Sequence, residues 1–355
     1  MTLSIGERLY ILFHQVMFLL TGLMTTLGCQ WLFYKGAATG DSYLTQLSQY
    51  LGMILVGLLI PSLLKRKSQT YSRLATHEES IRMESLDDND RNNEKATIYV
   101  EGAVPHSSLL KMAILDVVAN FCVTLGFSLI GSGMYQVIYS SVVIWCAILT
   151  YFLMDRTLTK VQWFSIFGTS AGLAICSLGN MNSSDLDSSN GFLLMFGTLM
   201  TLGGTFFYSC IYVYSDYMLS KQDPPPLPAR ICCYIGMYST VISLIWISIY
   251  TLPRYDQLIH IDDNTSNQVV WGMYLLVTVA NGTHSWNYYE LIDRTGSVAT
   301  GILQGLRAVI VYGLSHAWYC SSDSAQCFTV YKGFGSLMVI LCVLLFTIGG
   351  NGLSK

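Results

Sequence analysis

The sequence predicts an all-α integral membrane protein with ten transmembrane helices, arranged as two inverted five-helix repeats. Three observations lead to this fold class: an apolar composition, apolar runs of membrane-crossing length, and similar segments in the two halves of the chain. Of the 355 residues, 52% are hydrophobic and 12% are charged, and the mean hydropathy is +0.46. Because an ordinary soluble domain has about 25% charged residues, this composition argues against a water-soluble enzyme.

The charge balance points to a lipid bilayer rather than nucleic acid as the surroundings of the chain. The formal net charge is -3 and the pI is about 6.0, so no basic surface for nucleic acid is indicated. Apolar runs of about 20 residues fill most of the sequence, and a helix needs this length to cross a bilayer.

The apolar runs, bounded by charged or turn residues, predict ten spans. They are residues 10–34, 45–64, 109–130, 133–154, 161–180, 191–215, 230–252, 269–291, 296–318 and 329–349. The third and fourth spans are separated by Gly131-Ser132-Gly133, which predicts a tight hairpin. Merging these two spans would give nine, but residues 109–154 are too many for one crossing.

Basic residues predict the orientation of the chain. One set of loops and both termini carry Arg8, Lys65, Arg66, Lys67, Arg73, Arg82, Arg91, Lys95, Arg156, Lys160, Lys221, Arg230, Arg294 and Lys355. The opposite loops carry only Lys35 and Arg254. Because cytoplasmic loops are enriched in Lys and Arg, both termini are expected in the cytosol. The membrane itself is left open among the Golgi, the endolysosome and the plasma membrane.

Glycosylation motifs agree with this orientation. Asn182 and Asn264 each begin an Asn-x-Ser/Thr triplet in a loop expected on the non-cytosolic side. The triplet at Asn281 falls inside a span and is attributed to chance. The first apolar run, after Glu7 and Arg8, is too long for a signal-peptide core and is expected to remain as the first span.

The predicted organisation has four parts. Residues 1–64 form the first two helices of repeat one, and residues 109–180 form its helices three to five. Between them, residues 65–108 form a cytosolic loop whose acidic, weakly apolar middle is expected to be flexible. Residues 181–355 form repeat two, with helices six to ten.

Short self-similar segments suggest the internal repeat. Leu23-Met24-Thr25-Thr26-Leu27-Gly28 is similar to Leu199-Met200-Thr201-Leu202-Gly203, with one residue deleted. A segment from Gly131-Ser132 to Gly179-Asn180 is paralleled by one from Gly296-Ser297 to Gly350-Asn351. Five is an odd number, so the two copies would lie inverted in the membrane. Such repeats build a midplane site between two halves that expose it to either side in turn, as in transporters.

Further residues carry a family resemblance. They are Asp116-Val117-Val118-Ala119-Asn120, Tyr135-Gln136-Val137-Ile138-Tyr139-Ser140-Ser141, the Asp155–Lys160 turn, Gln162, and Thr295-Gly296-Ser297-Val298-Ala299-Thr300-Gly301-Ile302-Leu303. On these residues the chain resembles the drug/metabolite transporter superfamily, most closely solute carrier family 35 and its F-type branch, and chloroquine-resistance-transporter-like proteins. The resemblance covers about residues 15–350. It implies ten helices in two inverted repeats and admits nucleotide sugars, vitamins, nucleobases, amino acids and peptides as substrates.

Ionisable residues inside the spans are the first candidates for function, because charge is costly in a bilayer. Asp116 and Asn120 are four residues apart and share a helix face. Asp116 suits a proton-coupling role, so protons are a candidate coupling ion. The alternative is a structural pairing of Asp116 with Lys111 or Asn120.

Arg307 lies near the middle of the ninth span, where its side chain reaches neither surface easily. Gln304 is one turn earlier on the same face, and Gly301 and Gly305 leave room for a ligand. The planar guanidinium suits a carboxylate or phosphate, which favours binding of a substrate anion. The alternative is a buried ion pair, for instance with Asp116.

Two polar faces complete the candidate substrate site. One is formed by Asn281, His284 and Tyr288 on the eighth span, and the other by Tyr135, Gln136 and Tyr139 on the fourth. These groups either line a cavity or form hydrogen bonds between helices. No metal site or cofactor is predicted, since the histidines lie on separate helices without ligand spacing.

The cysteines are mostly scattered through the spans as small apolar residues. Cys320 and Cys327 differ, because they border a loop assigned to the oxidising side. A disulfide between them is therefore a candidate, with two free thiols as the alternative.

Together these features predict a secondary-active carrier that moves a small polar organic solute by alternating access, as a monomer or a homodimer. The solute is expected to carry an anionic group. The alternative is a non-transporting membrane regulator or scaffold that keeps the carrier fold. No catalytic residues are predicted, and no nucleotide-binding P-loop motif is present.

Overall fold

The fold comes from a computed structural model, which describes residues 5–68, 101–139, 141–178, 191–321 and 327–349. These residues form helices and connecting loops, and no strand occurs among them. Six of the helices are long and apolar enough to cross a membrane. The chain is therefore a multi-pass, all-α membrane protein, as its composition predicts.

The helices follow the predicted spans closely. They are α1 Ile5–Tyr34, α2 Leu44–Ser68, α3 His106–Tyr139, α4 Ser141–Met154, α5 Lys160–Leu178, α6 Gly191–Lys221, α7 Pro228–Leu258, α8 Asn267–Thr295, α9 Ser297–Tyr319 and α10 Val330–Gly349. Short 3₁₀ and π turns interrupt α2 and α7 without ending them. Internal hydrogen bonding of this kind is what a bilayer requires of the backbone.

One predicted boundary is wrong. The hairpin expected at Gly131-Ser132-Gly133 is absent, since α3 continues to Tyr139 and α4 begins at Ser141. A glycine inside a helix costs only about 1 kcal/mol relative to alanine. Breaking the backbone hydrogen bonds of a membrane helix costs several kcal/mol for each exposed group, so the helix runs through the glycines.

The helices bury one side and leave the other exposed. Leu109, Met112 and Ile166 are fully buried where the helices pack together. Large apolar side chains such as Phe152 and Trp271 are exposed on the outer surface. A soluble protein seldom exposes so much apolar surface, which therefore fits contact with lipid chains.

Helix contacts join distant parts of the chain. The most extensive are between α3 and α6, between α5 and α10, and between α1 and α8. Helix α2 also packs against α7 and α8. These contacts bring the second half of the chain against the first and place α1, α6, α8 and α9 around one region of polar side chains.

At one end of the bundle, a buried carboxylate fixes the start of α9. Asp216 near the end of α6 is 1% exposed and accepts two hydrogen bonds from Arg156, at 3.1 and 3.2 Å. It also accepts a hydrogen bond of 2.7 Å from the backbone N–H of Ser297. The free N–H groups at a helix N-terminus favour a carboxylate there, so Asp216 caps α9 while paired with Arg156.

A second ion pair anchors part of the predicted 65–108 loop. Arg230 at the start of α7 donates to both carboxylate oxygens of Glu101, at 2.6 and 2.7 Å. Gly102 donates its backbone N–H to the carbonyl of Pro225. The last residues of this segment therefore pack against the proline-rich connection before α7. Residues 69–100, including the acidic middle of the loop, lie outside the described residues.

At the opposite end, the α1–α2 and α7–α8 connections bind each other. Lys35 and Asp262 form an ion pair of 3.0 Å. The backbone N–H groups of His260 and Asp262 also donate to the carbonyls of Gly36 and Lys35. The hydrogen bond from Lys35 lowers the pKa of the exposed Asp262 carboxyl. The pair therefore strengthens this contact at neutral pH and loses its effect as the pH falls through that lowered pKa.

Candidate functional site

Arg307 on α9 is held by a histidine rather than by an acidic residue. Its Nη1 donates to Nε2 of His284 at 3.3 Å, and Nδ1 of His284 donates to the carbonyl of Phe18 at 2.9 Å. A neutral imidazole with its proton on Nδ1 satisfies both contacts. The Phe18 and His284 rings also stack, with centroids 4.3 Å apart. The positive charge of Arg307 is therefore fixed in place without being neutralised.

A close approach by α1 makes this arrangement possible. A Cβ atom added to Gly22 would lie 2.7 Å from Cε1 of His284 and 2.9 Å from Cδ of Arg307. Contacts this short are not tolerated, so any side chain at this position would displace both residues. Small residues allow membrane helices to approach in this way.

Gln304 and Tyr288 add polar atoms beside Arg307. Gln304 lies one turn before Arg307 and donates from Nε2 to the hydroxyl of Tyr212 at 2.8 Å. The ring of Tyr212 packs edge-on against that of Tyr288, with centroids 4.7 Å apart. Oε1 of Gln304 and the hydroxyl of Tyr288 are buried and have no hydrogen-bond partner among the described residues. Buried polar groups are normally paired, so these two are available to a ligand.

Asp116 lies in a second polar group, made by α2 and α3. Asn120 donates from Nδ2 to Oδ2 of Asp116 at 3.3 Å and to the hydroxyl of Tyr50 at 2.9 Å. Asn120 therefore links Asp116 to Tyr50, and it is the structural partner of Asp116 that the sequence suggested.

Asp116 and Arg307 do not form the ion pair that was one alternative for Arg307. Across the described part of the chain, no ion pair links Asp116 to Arg307 or to Lys111. The His284 ring occupies the position beside the guanidinium instead.

Other predicted residues are only partly located at this site. Asn281 is buried and donates from Nδ2 to the carbonyl of Gln49 on α2 at 3.0 Å, which makes it an interhelical contact. Tyr135 and Gln136 lie in α3, and their side chains are outside the described part of the structure. Of the second predicted polar face, the side chain of Tyr139 is described, and its ring packs edge-on against that of Tyr208 on α6.

Another polar cluster, not predicted from the sequence, lies between α1 and α8. His14 is 2% exposed and its Nδ1 hydrogen bonds to Oδ1 of Asn287. One turn away on α1, the hydroxyl of Tyr10 donates to Oε2 of the buried Glu290 at 3.3 Å. On each helix the polar residues recur at helical spacing, Tyr10 and His14 on α1 and Asn287 and Glu290 on α8. This spacing becomes informative only once the two helices are known to be neighbours.

Cys320 and Cys327 are joined by a disulfide in the structure. The Nδ1 atom of nearby His316 accepts a hydrogen bond from the backbone N–H of Phe328 at 3.0 Å. The three residues could hold a metal ion by position, but the disulfide leaves neither sulfur as a thiolate ligand. Among the glycosylation candidates, Asn264 is exposed, and Asn182 lies outside the described residues.

The fold and these polar groups define a multi-pass membrane protein with buried charges between its helices. No protein-family model matches the chain. An uncharacterized protein of Schizosaccharomyces pombe is 24% identical over 240 residues, which cover 65% of this chain. The chain spans 64% of the length of that curated relative.

A solved crystal structure is similar over almost the whole length of the chain. The match covers 98% of this chain and 99% of that chain, with a TM-score of 0.62 and a sequence identity of 10%. At this identity, the similarity concerns the fold alone.

Proposed function

We propose that the protein is a secondary-active carrier that binds a small polar organic solute at Arg307 through an anionic group of the solute. The observation that carries this proposal is a guanidinium inside an apolar helix whose described partner is a neutral histidine. An unneutralised charge at this depth is costly, and such residues mark substrate or ion pathways. A carboxylate or phosphate would bind the remaining N–H donors in the geometry that arginine favours.

The helix contacts support two repeats of five helices. If each helix corresponds to the one five places later, the α1–α8 contact corresponds to the α6–α3 contact. The contacts α2–α7, α4–α9 and α5–α10 each join a helix to its own counterpart five places later. A two-fold relation between inverted halves would produce this pattern, and a binding site between such halves suits alternating access.

Close approaches by glycine follow the same correspondence. Gly28 on α1 faces Val277 on α8, and a Cβ added there would lie 2.7 Å from a Val277 methyl group. Gly204 on α6 faces Val123 on α3, and the corresponding distance is 2.6 Å. Gly28 ends the first of the two similar sequence segments, and Gly204 directly follows Gly203, the end of the second, so the two close approaches lie at neighbouring positions of the proposed repeats.

Asp116 is the proposed proton-coupling group. Its carboxylate accepts a hydrogen bond from Asn120, a neutral amide with both donor and acceptor atoms that can adjust to either protonation state. Proton binding there would change the net charge of the site by one unit, which would couple a proton gradient to binding of a charged solute.

The proposal is tested with the full chain purified in detergent and reconstituted into liposomes. Thermal unfolding is measured with a library of organic anions and their neutral analogues, for wild type and for Arg307→Gln. A ligand of the folded state raises the melting temperature by mass action. We expect an anion to stabilise wild type and to bind Arg307→Gln at least about tenfold more weakly, since hydrogen bonds to charged groups contribute about 1.5–3 kcal/mol.

The matched control is Arg254→Gln, because Arg254 is exposed and stacks over Tyr250 at the end of α7. This variant should bind and transport the anion as wild type does. If no anion stabilises wild type and liposomes show no anion uptake, the carrier proposal is wrong. The regulator or scaffold alternative would then be preferred.

A further inference from the structure

The polar side chains around Arg307 form a closed ring of contacts between α6, α8 and α9. Arg307 donates to His284 at 3.3 Å, and Tyr288 lies one turn after His284 on α8. The Tyr288 ring packs edge-on against that of Tyr212 on α6, with centroids 4.7 Å apart. Gln304 donates to the Tyr212 hydroxyl at 2.8 Å and lies one turn before Arg307 on α9, which closes the ring.

Two polar atoms of this ring are buried without a hydrogen-bond partner among the described residues. They are Oε1 of Gln304 and the hydroxyl of Tyr288. Because Nε2 of Gln304 donates to Tyr212, the atom that remains on Gln304 is an acceptor. Burying an acceptor without a donor costs free energy, and a bound donor recovers it. The ring therefore offers an anion a guanidinium and, one helical turn away, an acceptor that needs a donor.

We propose that the solute carries a hydroxyl or an amide N–H besides its anionic group, and that Gln304 accepts a hydrogen bond from it while the anionic group binds Arg307. This inference rests on the proposed carrier function and adds the substrate class. Gln304 is then the residue that distinguishes such solutes from simple carboxylates.

The helix sets the spacing between the two groups of the solute. Residues three apart on a helix have Cβ atoms about 5–6 Å apart on the same face. Gln304 and Arg307 therefore extend from neighbouring positions, and one contacts α6 while the other contacts α8. A short chain of atoms, rather than a single carbon, is expected between the anionic group and the donor.

The donor is expected to be uncharged. The guanidinium of Arg307 lies one turn from Gln304, and in surroundings of low dielectric it would repel an ammonium group bound there. Gln304 and Tyr288 are themselves neutral and supply no negative charge to offset that repulsion. A hydroxyl or an amide N–H satisfies the acceptor without this cost.

The test uses ω-hydroxycarboxylates of increasing chain length and the full chain purified in detergent. Each compound is compared with its methyl ether, which keeps the oxygen but loses the donor, and with the unsubstituted carboxylate. Thermal unfolding at a series of concentrations gives the affinities, and uptake into liposomes measures transport. We expect the best hydroxycarboxylate to bind about tenfold more tightly than either matched compound.

Gln304→Met keeps the approximate length of the side chain and removes its amide. This variant should lose the preference for the hydroxyl and keep wild-type affinity for the unsubstituted carboxylate. Tyr212→Phe removes the same hydrogen bond to Gln304 but keeps Oε1, so it should retain the preference. The matched control is Gln268→Met, because Gln268 is exposed at the start of α8, and it should behave as wild type.

The outcomes separate this inference from the carrier proposal. If hydroxycarboxylates bind wild type no better than their methyl ethers and unsubstituted carboxylates, or do not bind while another anion does, the inference is wrong and an anion carrier remains. A preference that persists in Gln304→Met and is lost in Tyr288→Phe would overturn the role of Gln304. If no anion stabilises wild type or enters the liposomes, the carrier proposal is overturned as well.

Discussion

Arg307 shows how a charge inside a membrane protein can be kept available. A carboxylate partner would neutralise the guanidinium and compete with any anionic ligand. His284 instead fixes its position through one hydrogen bond, and the backbone carbonyl of Phe18 fixes the imidazole. The side chain is therefore oriented before a ligand arrives, which lowers the entropic cost of binding.

Gly22 is predicted to be essential for the contact between His284 and Arg307. Gly22→Ala would place a methyl group against His284 and Arg307, so the hydrogen bond between them should be lost or distorted. We expect anion affinity to fall about fivefold, which corresponds to one hydrogen bond of about 1 kcal/mol. Affinity is measured by thermal unfolding at a series of anion concentrations.

The control for this prediction is Gly203→Ala on α6. A Cβ atom at Gly203 would meet no heavy atom within 4 Å. Because alanine also favours a helix over glycine, this variant should keep wild-type affinity and stability. Equal effects of the two substitutions would show that the close approach at Gly22 does not position Arg307.

Among the helices, α9 depends on a contact remote from its centre. Gly296, just before α9, has φ of 85°, a conformation that glycine adopts without steric cost. The turn presents the N–H of Ser297 to Asp216 on α6, which Arg156 also binds. Asp216 on α6, Arg156 in the α4–α5 connection and the turn at Gly296 therefore together fix where α9 begins. They also fix how far along α9 Arg307 lies from the surface of the membrane.

Asp216→Asn is predicted to destabilise the fold. The substitution removes one partner of a largely buried ion pair, which typically costs about 3–5 kcal/mol. Arg156 is partly exposed, with 33% of its side chain accessible, so the lower end of that range is expected. The free energy of unfolding is measured by denaturant titration in detergent.

Asp293→Asn is the comparison for Asp216→Asn. Asp293 pairs with Arg294 at 3.9 Å, and both side chains are partly exposed. Pairs of this kind contribute about 0–1 kcal/mol. A loss for Asp216→Asn no larger than that for Asp293→Asn would contradict the role of Asp216 in fixing α9.

For the whole molecule, the arrangement of helices depends on contacts between the two halves. Helix α1 packs on α8, and α3 packs on α6, so neither half buries its apolar surface within itself. The proposed inverted repeats would form such an interface around a site. The orientation of the bundle in the membrane is a separate prediction, based on the distribution of basic residues.

Orientation is tested through Asn264. This residue is exposed in the α7–α8 connection, which the basic residues place on the non-cytosolic side. We expect the protein made in eukaryotic cells to carry a glycan at Asn264, seen as a mobility shift that glycosidase removes and that Asn264→Gln reduces. Asn281→Gln is the control, because Asn281 is buried in α8 and should not be modified. Labelling of the Asn264 loop from the cytosolic side would show the opposite orientation.

Most of the fold could be predicted from the sequence because membrane helices are determined locally. A continuous apolar run must satisfy its own backbone hydrogen bonds, so its length and position predict a helix. The predicted spans and the observed helices agree to within a few residues in most cases. The exception is the end of α3, because glycine weakens a helix without ending it inside a bilayer.

The sequence by itself determined the membrane class and the positions of most helices, and it predicted Arg307 and Asp116 as the charges on which function depends. Each of these follows from hydropathy along the chain and from the cost of a charge in an apolar run. Only the tertiary structure decided the partners of those charges: His284 for Arg307, and Asn120 rather than Lys111 for Asp116. The physical reason is that side-chain partners on separate helices depend on how the helices pack, and packing is set by shape complementarity over many residues rather than by any local pattern.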